Sequence, residues 1–177
     1  MTVLRITKYP EKVLSAKSKK IEGWSRELTE LVENMFETMY AVGGVGLAAN
    51  QVGIPIRLAV IDVRPNNRPK KIVLINPKIT KSDGKAEEPE GCLSLPGLYK
   101  RLNRWAKATA LTYNHKGVPW EIRGTGLLAR ALQHEIDHLD GKVFIERLPL
   151  MQKIQVQKEV RRYQAIWEAS VTRQVNT

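Results

Sequence analysis

The sequence lacks several features that would place the chain outside a reducing, aqueous compartment. Only one of its 177 residues is a cysteine, Cys92, so no internal disulfide can form. No apolar run approaches the roughly 20 residues that cross a bilayer, and the first residues lack the apolar stretch of a signal peptide. We therefore expect a cytoplasmic protein without a membrane partner. The length predicts one domain and leaves the oligomeric state open.

Acidic and aromatic residues are also scarce. Lys and Arg number 29 against 18 Asp and Glu, which gives a net charge of +11. Such a charge attracts polyanions, so a basic enzyme that works near nucleic acid, a basic nucleic-acid-binding module and a merely solvated basic surface all fit. Aromatic residues make up only 6% of the chain, and none is clearly placed where bases could stack. This scarcity disfavours the binding module.

Histidine is scarce as well, yet two of the three histidines lie in one motif, QHEIDH at residues 133–138. On a helix, His134 and His138 lie one turn apart and can bind one metal ion. Glu135 can then reach a water molecule on that ion, as in metal-dependent hydrolases. The alternative is an accidental H-E-x-x-H, which a short motif allows.

Such a site needs a third ligand, because catalytic sites of this kind usually have three protein ligands and one open position. The candidates are a carboxylate and Cys92, although a free cysteine is more often a small buried apolar residue. With Cys92 as the ligand, Glu135 would take a proton from the metal-bound water and return it to a leaving group. The Gln51 side chain and a backbone N–H near Leu93 could donate to the oxyanion. The expected reaction is hydrolysis of an amide-like bond.

The hydrophobic pattern predicts three helices. The first is expected between the N-cap Ser25 and Gly43, and the second, over Leu127–Leu139, carries the histidine motif. A third, basic helix is expected near the C-terminus. The G-x-G-x-x-A run at residues 44–49 follows a helix rather than a strand, which disfavours a dinucleotide-binding site.

Extended segments fill the middle of the chain. They are expected at residues 57–63, 72–75, 102–113 and 118–122, and the pair Asn76-Pro77 is expected to end the second of them. Turns are expected at residues 82–84, 95–97 and 114–117. Such short connections favour antiparallel pairing. His115, in the last of these turns, is expected to face solvent rather than to bind a metal.

Three blocks of sequence, taken together, closely resemble peptide deformylase. They are GVGLAANQ at residues 44–51, EGCLS at residues 90–94 and QHEIDH at residues 133–138. The similarity extends from about Tyr9 to Leu148. It implies an enzyme that removes the formyl group from the N-terminal formyl-methionine of newly made polypeptides and releases formate.

The resemblance also implies a fold class and a domain organisation. The fold would be α+β, with antiparallel β-sheets packed around the central motif helix, a long N-terminal helix and a C-terminal helix. Residues 1–177 would form a single catalytic domain, in which residues 148–177 form a basic C-terminal helix.

The resemblance further implies a role for each site residue. One divalent metal ion, commonly Fe²⁺ with Zn²⁺, Ni²⁺ or Co²⁺ as substitutes, would be bound by Cys92, His134 and His138. Glu135 would activate a metal-bound water for attack on the formyl carbon, and Gln51 and the Leu93 backbone amide would hold the oxyanion. The backbone around Val45 and Gly46 would hold the peptide in an extended form. An apolar pocket for the methionine side chain would involve Val45, Leu127 and His134.

The sequence departs from the commonest family pattern in several places. Asn50 stands where proline or threonine is more usual, and Ala131 where cysteine is often found; we expect these two to change only loop stiffness or pocket shape. Residues 98–104 match the usual run poorly and lie near the expected entrance, so the preference beyond methionine is open. Asn114 replaces a frequent aspartate without a consequence that we can name.

The C-terminal helix suggests a partner. Its basic residues Lys158, Arg161 and Arg162, together with Arg173, fall on one predicted face. The opposite face carries an apolar stripe that consists of Val156, Val160, Tyr163, Trp167 and Val171. We hypothesise that the basic face docks on the ribosome through ribosomal RNA phosphates, as similar enzymes are thought to do. The alternative is a solvated helix face.

Two other functions fit parts of the pattern. An H-E-x-x-H metalloprotease would take its third ligand downstream, where Glu146 and Glu159 are available, but would leave the blocks at residues 44–51 and 90–94 unused. An RNA-binding module with a structural metal would need a fourth ligand, and none is obvious. An inactive family member is also conceivable, although every residue that the chemistry needs is present.

Overall fold

The computed structural model describes the backbone of residues 2–64 and 68–175, and side chains in this part of the chain up to residue 165. The helices of this part are α1 (Arg26–Ala41), α2 (Gly126–Leu139) and α3 (Leu150–Val175). The strands are β1 (Gly46–Ala48), β2 (Leu58–Ile61), β3 (Ile72–Asp83), β4 (Ala86–Cys92), β5 (Leu95–Arg104), β6 (Lys107–Tyr113) and β7 (Pro119–Thr125). Single turns of 3₁₀ helix lie at Lys12–Ser15, Ala49–Val52 and Phe144–Arg147.

These strands pair in antiparallel fashion and form two sheets. One sheet has five strands in the order β1-β2-β3-β6-β7, and the other consists of β4 and β5. The histidine motif lies on α2, which packs on the larger sheet. The predicted α+β fold class is therefore confirmed.

The larger sheet is covered by a helix on each face. Leu132 of α2 lies in one apolar cluster with Ile61 of β2, whereas Met35 of α1 lies in another cluster with Leu58 and Val60 of the same strand. Successive side chains of a strand point to opposite faces, so β2 is apolar at every position. This explains why the predicted strand at residues 57–63 is mostly apolar, with an uninterrupted apolar run at residues 58–61, rather than alternating.

Helix α1 begins and ends where its capping residues predict. The Ser25 hydroxyl accepts a hydrogen bond from the Leu28 N–H at 3.4 Å. After Ala41, the chain turns through Gly43, whose φ of 69° lies in the left-handed region that favours glycine. The helix predicted between Ser25 and Gly43 is confirmed.

Strand β3 is longer than predicted. The Asn76-Pro77 pair was expected to end it, yet the strand continues to Asp83 across a register shift between Ile75 and Lys78. Asn76 has a φ of 50°, and its side chain exchanges two hydrogen bonds with the Ile21 backbone at 2.8 and 2.9 Å. The strand thus accommodates Pro77 in a β-bulge. The hydrogen bonds between the Asn76 side chain and Ile21 take the place of the strand pairing that is interrupted there.

The segment 102–113 is not one extended piece. It divides at Trp105, so that β5 pairs in the two-stranded sheet while β6 joins the larger one. Residues 95–97, expected as a turn, lie within β5, and the turn before them is formed by Leu93 and Ser94. The first prediction was wrong because the apolar pattern does not reveal where a chain passes from one sheet to another. The predicted turn was two residues late, because the hairpin between β4 and β5 already turns at Leu93 and Ser94.

The hairpin between β6 and β7 agrees with its sequence signal. Asn114 Oδ1 accepts hydrogen bonds from the N–H groups of Lys116 and Val118 at 2.9 and 3.0 Å, and Gly117 has a φ of 76°. The predicted loop at residues 114–117 is confirmed. His115 is solvent-exposed in this loop, as predicted.

Helix α3 packs on the smaller sheet through the start of its predicted apolar stripe. Val156 and Val160 are buried in a cluster with Leu98 and Leu102 of β5. Three residues of the predicted pattern lie beyond position 165 and therefore outside the described side chains. They are the apolar Trp167 and Val171 and the basic Arg173. Among the helices of the described part, none has the length and apolarity that a membrane span requires.

Candidate metal centre

The three predicted metal ligands converge at one point. Cys92 ends β4, while His134 and His138 lie one turn apart on α2. One ligand atom from each of them lies within 4.8 Å of the other two. The Cys92 Sγ to His138 Nε2 distance is 3.2 Å. The smaller sheet and the motif helix therefore each contribute to the same site.

The chemistry of these donors fits a borderline divalent ion. Burial alone would raise the pKa of Cys92, but the positive charge and hydrogen bonds of His138 and His134 lower this pKa well below its usual range. The pKa of His134 is raised well above its usual value, against its burial, by the thiolate and by Glu90. One thiolate and two imidazoles are a donor set that binds zinc, iron, cobalt or nickel.

A buried carboxylate orients the first histidine. Glu90 Oε1 lies 2.7 Å from His134 Nδ1, so this nitrogen donates its proton to Glu90 and leaves Nε2 for an ion. Burial opposes the ionisation of Glu90, but hydrogen bonds from His134 and Arg104 lower its pKa below the usual range. Glu90 belongs to the EGCLS block, but no role was predicted for it. Its position two residues before Cys92 on a strand was the available signal, because such residues share one face.

Three arginines hold the carboxylates behind this histidine. Arg104 forms ion pairs with Glu90 at 2.7 Å and with Asp137 at 2.5 Å. Arg130 forms a second ion pair with Glu90 at 2.8 Å, and Arg147 pairs with Asp137. Because Asp137 stands between the two motif histidines, the network fixes α2 as well as the Glu90 side chain.

Glu135 is buried beside the predicted ligands. Its Oε2 has no hydrogen-bond partner among the described residues. Burial raises its pKa to about 7. A carboxyl with such a pKa can both accept and release a proton near neutral pH, as a general base that later acts as an acid must.

The absence of a side chain at Gly46 makes room for Glu135. A Cβ built on Gly46 would lie 2.2 Å from Glu135 Oε1. We expect Gly46→Ala to lower kcat/KM for a formylated peptide about 100-fold, since displacing a reacting group by an ångström has effects of that order. Metal content, measured by elemental analysis, should stay at the wild-type level.

A matched control is available for this substitution. A Cβ built on Gly23 would meet nothing within 4 Å, so Gly23→Ala should leave kcat/KM unchanged. Full activity of Gly46→Ala would show that the carboxylate does not need its present position.

Gln51 presents a donor to the site. Its Oε1 accepts a hydrogen bond from the Ala48 N–H at 2.9 Å, which directs the NH₂ group towards Cys92 Sγ at 3.4 Å and Ser94 Oγ at 3.2 Å. The neighbouring Leu93 is bound through its carbonyl by Lys8 Nζ at 3.0 Å. Sequence reasoning did not identify Lys8, whose pKa is lowered mainly by burial.

A cavity of about 420 Å³ opens in front of these residues. Most predicted site residues line it, namely Val45, Gly46, Gln51, Cys92, Leu93, His134 and Glu135. Leu127, expected in the methionine pocket, lies outside this lining and is 49% exposed at the start of α2. Strand β1 is the edge strand of the larger sheet, so its free side is available to an extended peptide.

The two unusual residues near the motif occupy different environments. The Asn50 side chain is buried, and its Nδ2 donates to the His138 carbonyl at 2.5 Å. It therefore contacts the backbone of a predicted ligand. Ala131 is buried in the cluster between α2 and the larger sheet.

One protein family matches nearly the whole of the described chain. The family model described as Polypeptide deformylase matches residues 3–154. The chain belongs to the polypeptide deformylase family. Peptide deformylase of Thermodesulfovibrio yellowstonii is 48% identical over 156 residues, which are 87% of this chain and 94% of that protein. Peptide deformylase of Acidobacterium capsulatum is 44% identical over 95% of this chain and 99% of its own length.

Solved deformylase structures agree in fold. The crystal structure of a peptide deformylase from Legionella pneumophila has a TM-score of 0.86 at 38% identity and covers 94% of this chain and 98% of its own. The enzyme from Ehrlichia chaffeensis in complex with actinonin has a TM-score of 0.84 at 37% identity, with 92% of this chain and 98% of that one covered.

Membership of the deformylase family establishes the reaction. The chain is a hydrolase that removes the N-formyl group from N-formylmethionyl nascent peptides, and its family is metal-dependent. The resemblance found in the sequence is thereby confirmed. The readings as a metalloprotease of another family and as an RNA-binding module with a structural metal are excluded, because all three sequence blocks lie within the matched region.

Proposed function

We propose that the deformylase reaction of this chain takes place at a single divalent metal ion bound by Cys92, His134 and His138. The observation that carries the proposal is the convergence of the three ligand atoms within 4.8 Å of one another. Two further observations support it. The thiol has the lowered pKa of a ligand, and a buried carboxyl with a pKa of about 7 lies beside the ligands.

Fe²⁺ is the ion that we propose, with Zn²⁺, Ni²⁺ or Co²⁺ as substitutes. When bound, it supplies Lewis acidity that polarises the formyl group and makes water a better acid. The single thiolate suits all four ions, so the choice among them depends on availability as well as affinity. A thiolate beside ferrous iron is also open to oxidation, and this predicts an enzyme that loses activity in air.

The roles of the remaining residues follow from their positions. Glu135 takes a proton from the attacking water and delivers it to the peptide nitrogen as the carbon–nitrogen bond breaks, which yields formate and a free amine. The Gln51 NH₂ group and the Leu93 N–H donate to the oxygen on which negative charge develops. Glu90 keeps His134 in one tautomer throughout the reaction.

The substrate is proposed to lie along β1. Backbone groups of Val45 and Gly46 would pair with the formylated peptide as an added strand. The methionine side chain would enter an apolar pocket formed by Val45, Leu127 and His134. Since Leu127 is half exposed, the substrate itself would cover this side of the pocket.

The deformylase reaction is tested by following free-amine release from formyl-Met-Ala-Ser with protein purified without oxygen. Removing the metal with a chelator should abolish release, and Fe²⁺, Ni²⁺ or Co²⁺ should restore it, because water is a poor nucleophile without the ion. Elemental analysis should find about one ion per chain in the restored enzyme. Undiminished turnover after complete removal of the metal would refute the proposal.

We also propose that residues 1–177 form a single cytoplasmic catalytic domain. Its basic C-terminal helix, predicted over residues 148–177, is α3, which begins at Leu150 because Leu148 and Pro149 still belong to the preceding connection. Lys158, Arg161 and Arg162 are solvent-exposed on α3. Their charge would dock the enzyme on ribosomal RNA phosphates, close to where formylated chains are made.

Reversal of these three charges tests the docking. Lys158→Glu, Arg161→Glu and Arg162→Glu together should weaken ribosome co-sedimentation about 10-fold or more in 50 mM salt, since each lost phosphate contact reduces electrostatic affinity. Turnover of formyl-Met-Ala-Ser should be unchanged.

The control carries the same change of charge elsewhere. Lys17, Lys81 and Lys116 are exposed and lie outside α3, and their reversal to Glu should leave most ribosome binding intact. Equal losses in the two triple variants would mean that only net charge matters, and the docking proposal would fail.

A further inference from the structure

A second cavity, of about 660 Å³, lies behind the motif helix. The residues of α2 that line it include Gln133, Ile136 and Asp137. At about 100° per residue, Ile136 lies on the opposite side of the helix from the proposed ligands His134 and His138. Gln133 and Asp137 lie on the flank of the helix between Ile136 and these ligands. The cavity is larger than the one in front of the metal centre and does not open onto the proposed ligands.

The lining of this second cavity is positively charged. It contains five cationic side chains against two carboxylates: Arg57, Lys78, Lys85, Arg104 and Arg147 against Asp137 and Asp140. Both carboxylates are already neutralised, because Asp140 pairs with Arg57, and Asp137 pairs with Arg104 and Arg147. The lining therefore carries a formal excess of three positive charges, which favours an anionic ligand.

Lys78 and Lys85 are the cations most available to a ligand. Both are exposed, and neither forms an ion pair with any residue of the described part of the chain. They are carried by β3 and by the connection to β4, so they reach the cavity from outside α2. An ammonium group on a flexible stem is a common phosphate contact.

An aromatic side chain completes the lining. Trp105 is 46% exposed at the passage between the two sheets. Its backbone is fixed by Gln133, whose Oε1 accepts from the Trp105 N–H at 3.0 Å and whose Nε2 donates to the Trp105 carbonyl at 2.9 Å. The motif helix thus holds a large exposed indole beside a group of cations. Stacking of a planar ring on such a side chain is a usual means of binding a nucleobase.

We propose that this cavity binds a free nucleoside triphosphate, with the base against Trp105 and the phosphates at Lys78, Lys85 and Arg147. Its volume lies within the roughly 300–1,000 Å³ of small-molecule sites. The proposal does not rest on the deformylase chemistry. Lys78, Lys85 and Trp105 belong neither to the proposed ligands nor to the peptide-binding strand.

Calorimetric titration of the metal-loaded full chain with ATP, added as its magnesium complex, tests the proposal. We expect saturable binding at one site. The double variant Lys78→Met/Lys85→Met should bind at least 10-fold more weakly, and so should Trp105→Ala. Trp105→Phe, which keeps an aromatic ring, should stay within about 3-fold of the wild type. Lys17→Met/Lys116→Met is the control for charge and should bind like the wild type.

Formyl-Met-Ala-Ser turnover, measured on every variant, separates this proposal from the one for the metal centre. Each variant should retain wild-type turnover, which also shows that it folds. Absence of ATP binding would overturn the proposal. Equal affinity for tripolyphosphate, unaffected by Trp105→Ala, would overturn it in favour of a general anion site. Tighter binding of a single-stranded RNA octamer that depends on the same three residues would overturn it in favour of RNA.

Discussion

Glu135→Gln should lower kcat/KM for formyl-Met-Ala-Ser by about 10² to 10⁴-fold while the metal remains bound, since positioned proton transfer contributes this much. The amide has nearly the shape of the carboxyl group but cannot accept the proton of the attacking water. Because Glu135 is buried beside the ligands rather than among them, the metal content should not change.

The matched control for this substitution is Glu146→Gln. Glu146 is exposed, follows the motif helix and is one of the carboxylates that a metalloprotease of another family could use as a ligand. Its substitution should leave turnover and metal content unchanged. Retention of more than a tenth of wild-type turnover in Glu135→Gln would remove the proposed role of Glu135.

The same substitution has a second expected effect, in the metal-free protein. Burial raises the pKa of Glu135 from an ordinary 4.5 to about 7, so the folded state binds this proton more tightly than the unfolded state. The resulting stability is fully present below pH 4.5 and is lost as the pH rises through 7. Between pH 5 and pH 8, urea unfolding of the metal-free wild type should therefore lose up to roughly 3 kcal/mol that Glu135→Gln does not lose.

Glu90→Gln should destabilise the protein by about 3–5 kcal/mol, because it leaves two buried guanidinium groups without their shared carboxylate. Arg104 and Arg130 both pair with Glu90, and both are buried. The His134 Nδ1–H would also lose its charged acceptor, so metal affinity should fall about 10- to 100-fold. Urea unfolding and competition with a chelator measure the two effects.

A neighbouring carboxylate on the same strand provides the comparison. Glu88 pairs with Arg130 at 3.7 Å, but its side chain is 57% exposed. Surface pairs of this kind contribute about 0–1 kcal/mol, so Glu88→Gln should change stability by less than 1 kcal/mol and leave metal affinity alone. A similar small effect in Glu90→Gln would mean that the buried network does not support the metal centre.

Local signals in the sequence predicted the helices and the convergence of the two motif histidines. Ser25 and Gly43 mark the two ends of α1. These ends could be predicted because capping depends on neighbouring residues alone. The four-residue spacing of His134 and His138 brings them together on any helix. For Cys92, the sequence spacing was no guide. The need for a third ligand and the family resemblance predicted that it would lie beside the two histidines, and the structure places it there.

The remaining features depend on contacts between distant parts of the chain. Nothing local in Arg104 or Asp137 predicts that they meet, since they are 33 residues apart and lie on different elements. The sequence also did not reveal that the chain passes from one sheet to the other at Trp105, because the alternating pattern continues across this residue. The exposure of Leu127 likewise depends on which face of α2 the sheet covers.

The placement of the proposed ligands on one strand and one helix, far apart in the sequence, has a consequence for folding. Cys92 and His138 are 46 residues apart, and the chain between them forms β5, β6, β7 and most of α2. An ion that joins them closes this segment into a loop. A covalent link around a loop of that length would stabilise the native state by about 4 kcal/mol through the entropy of the unfolded chain. A chain with one cysteine cannot form an internal disulfide, and a bound ion would give it a comparable cross-link.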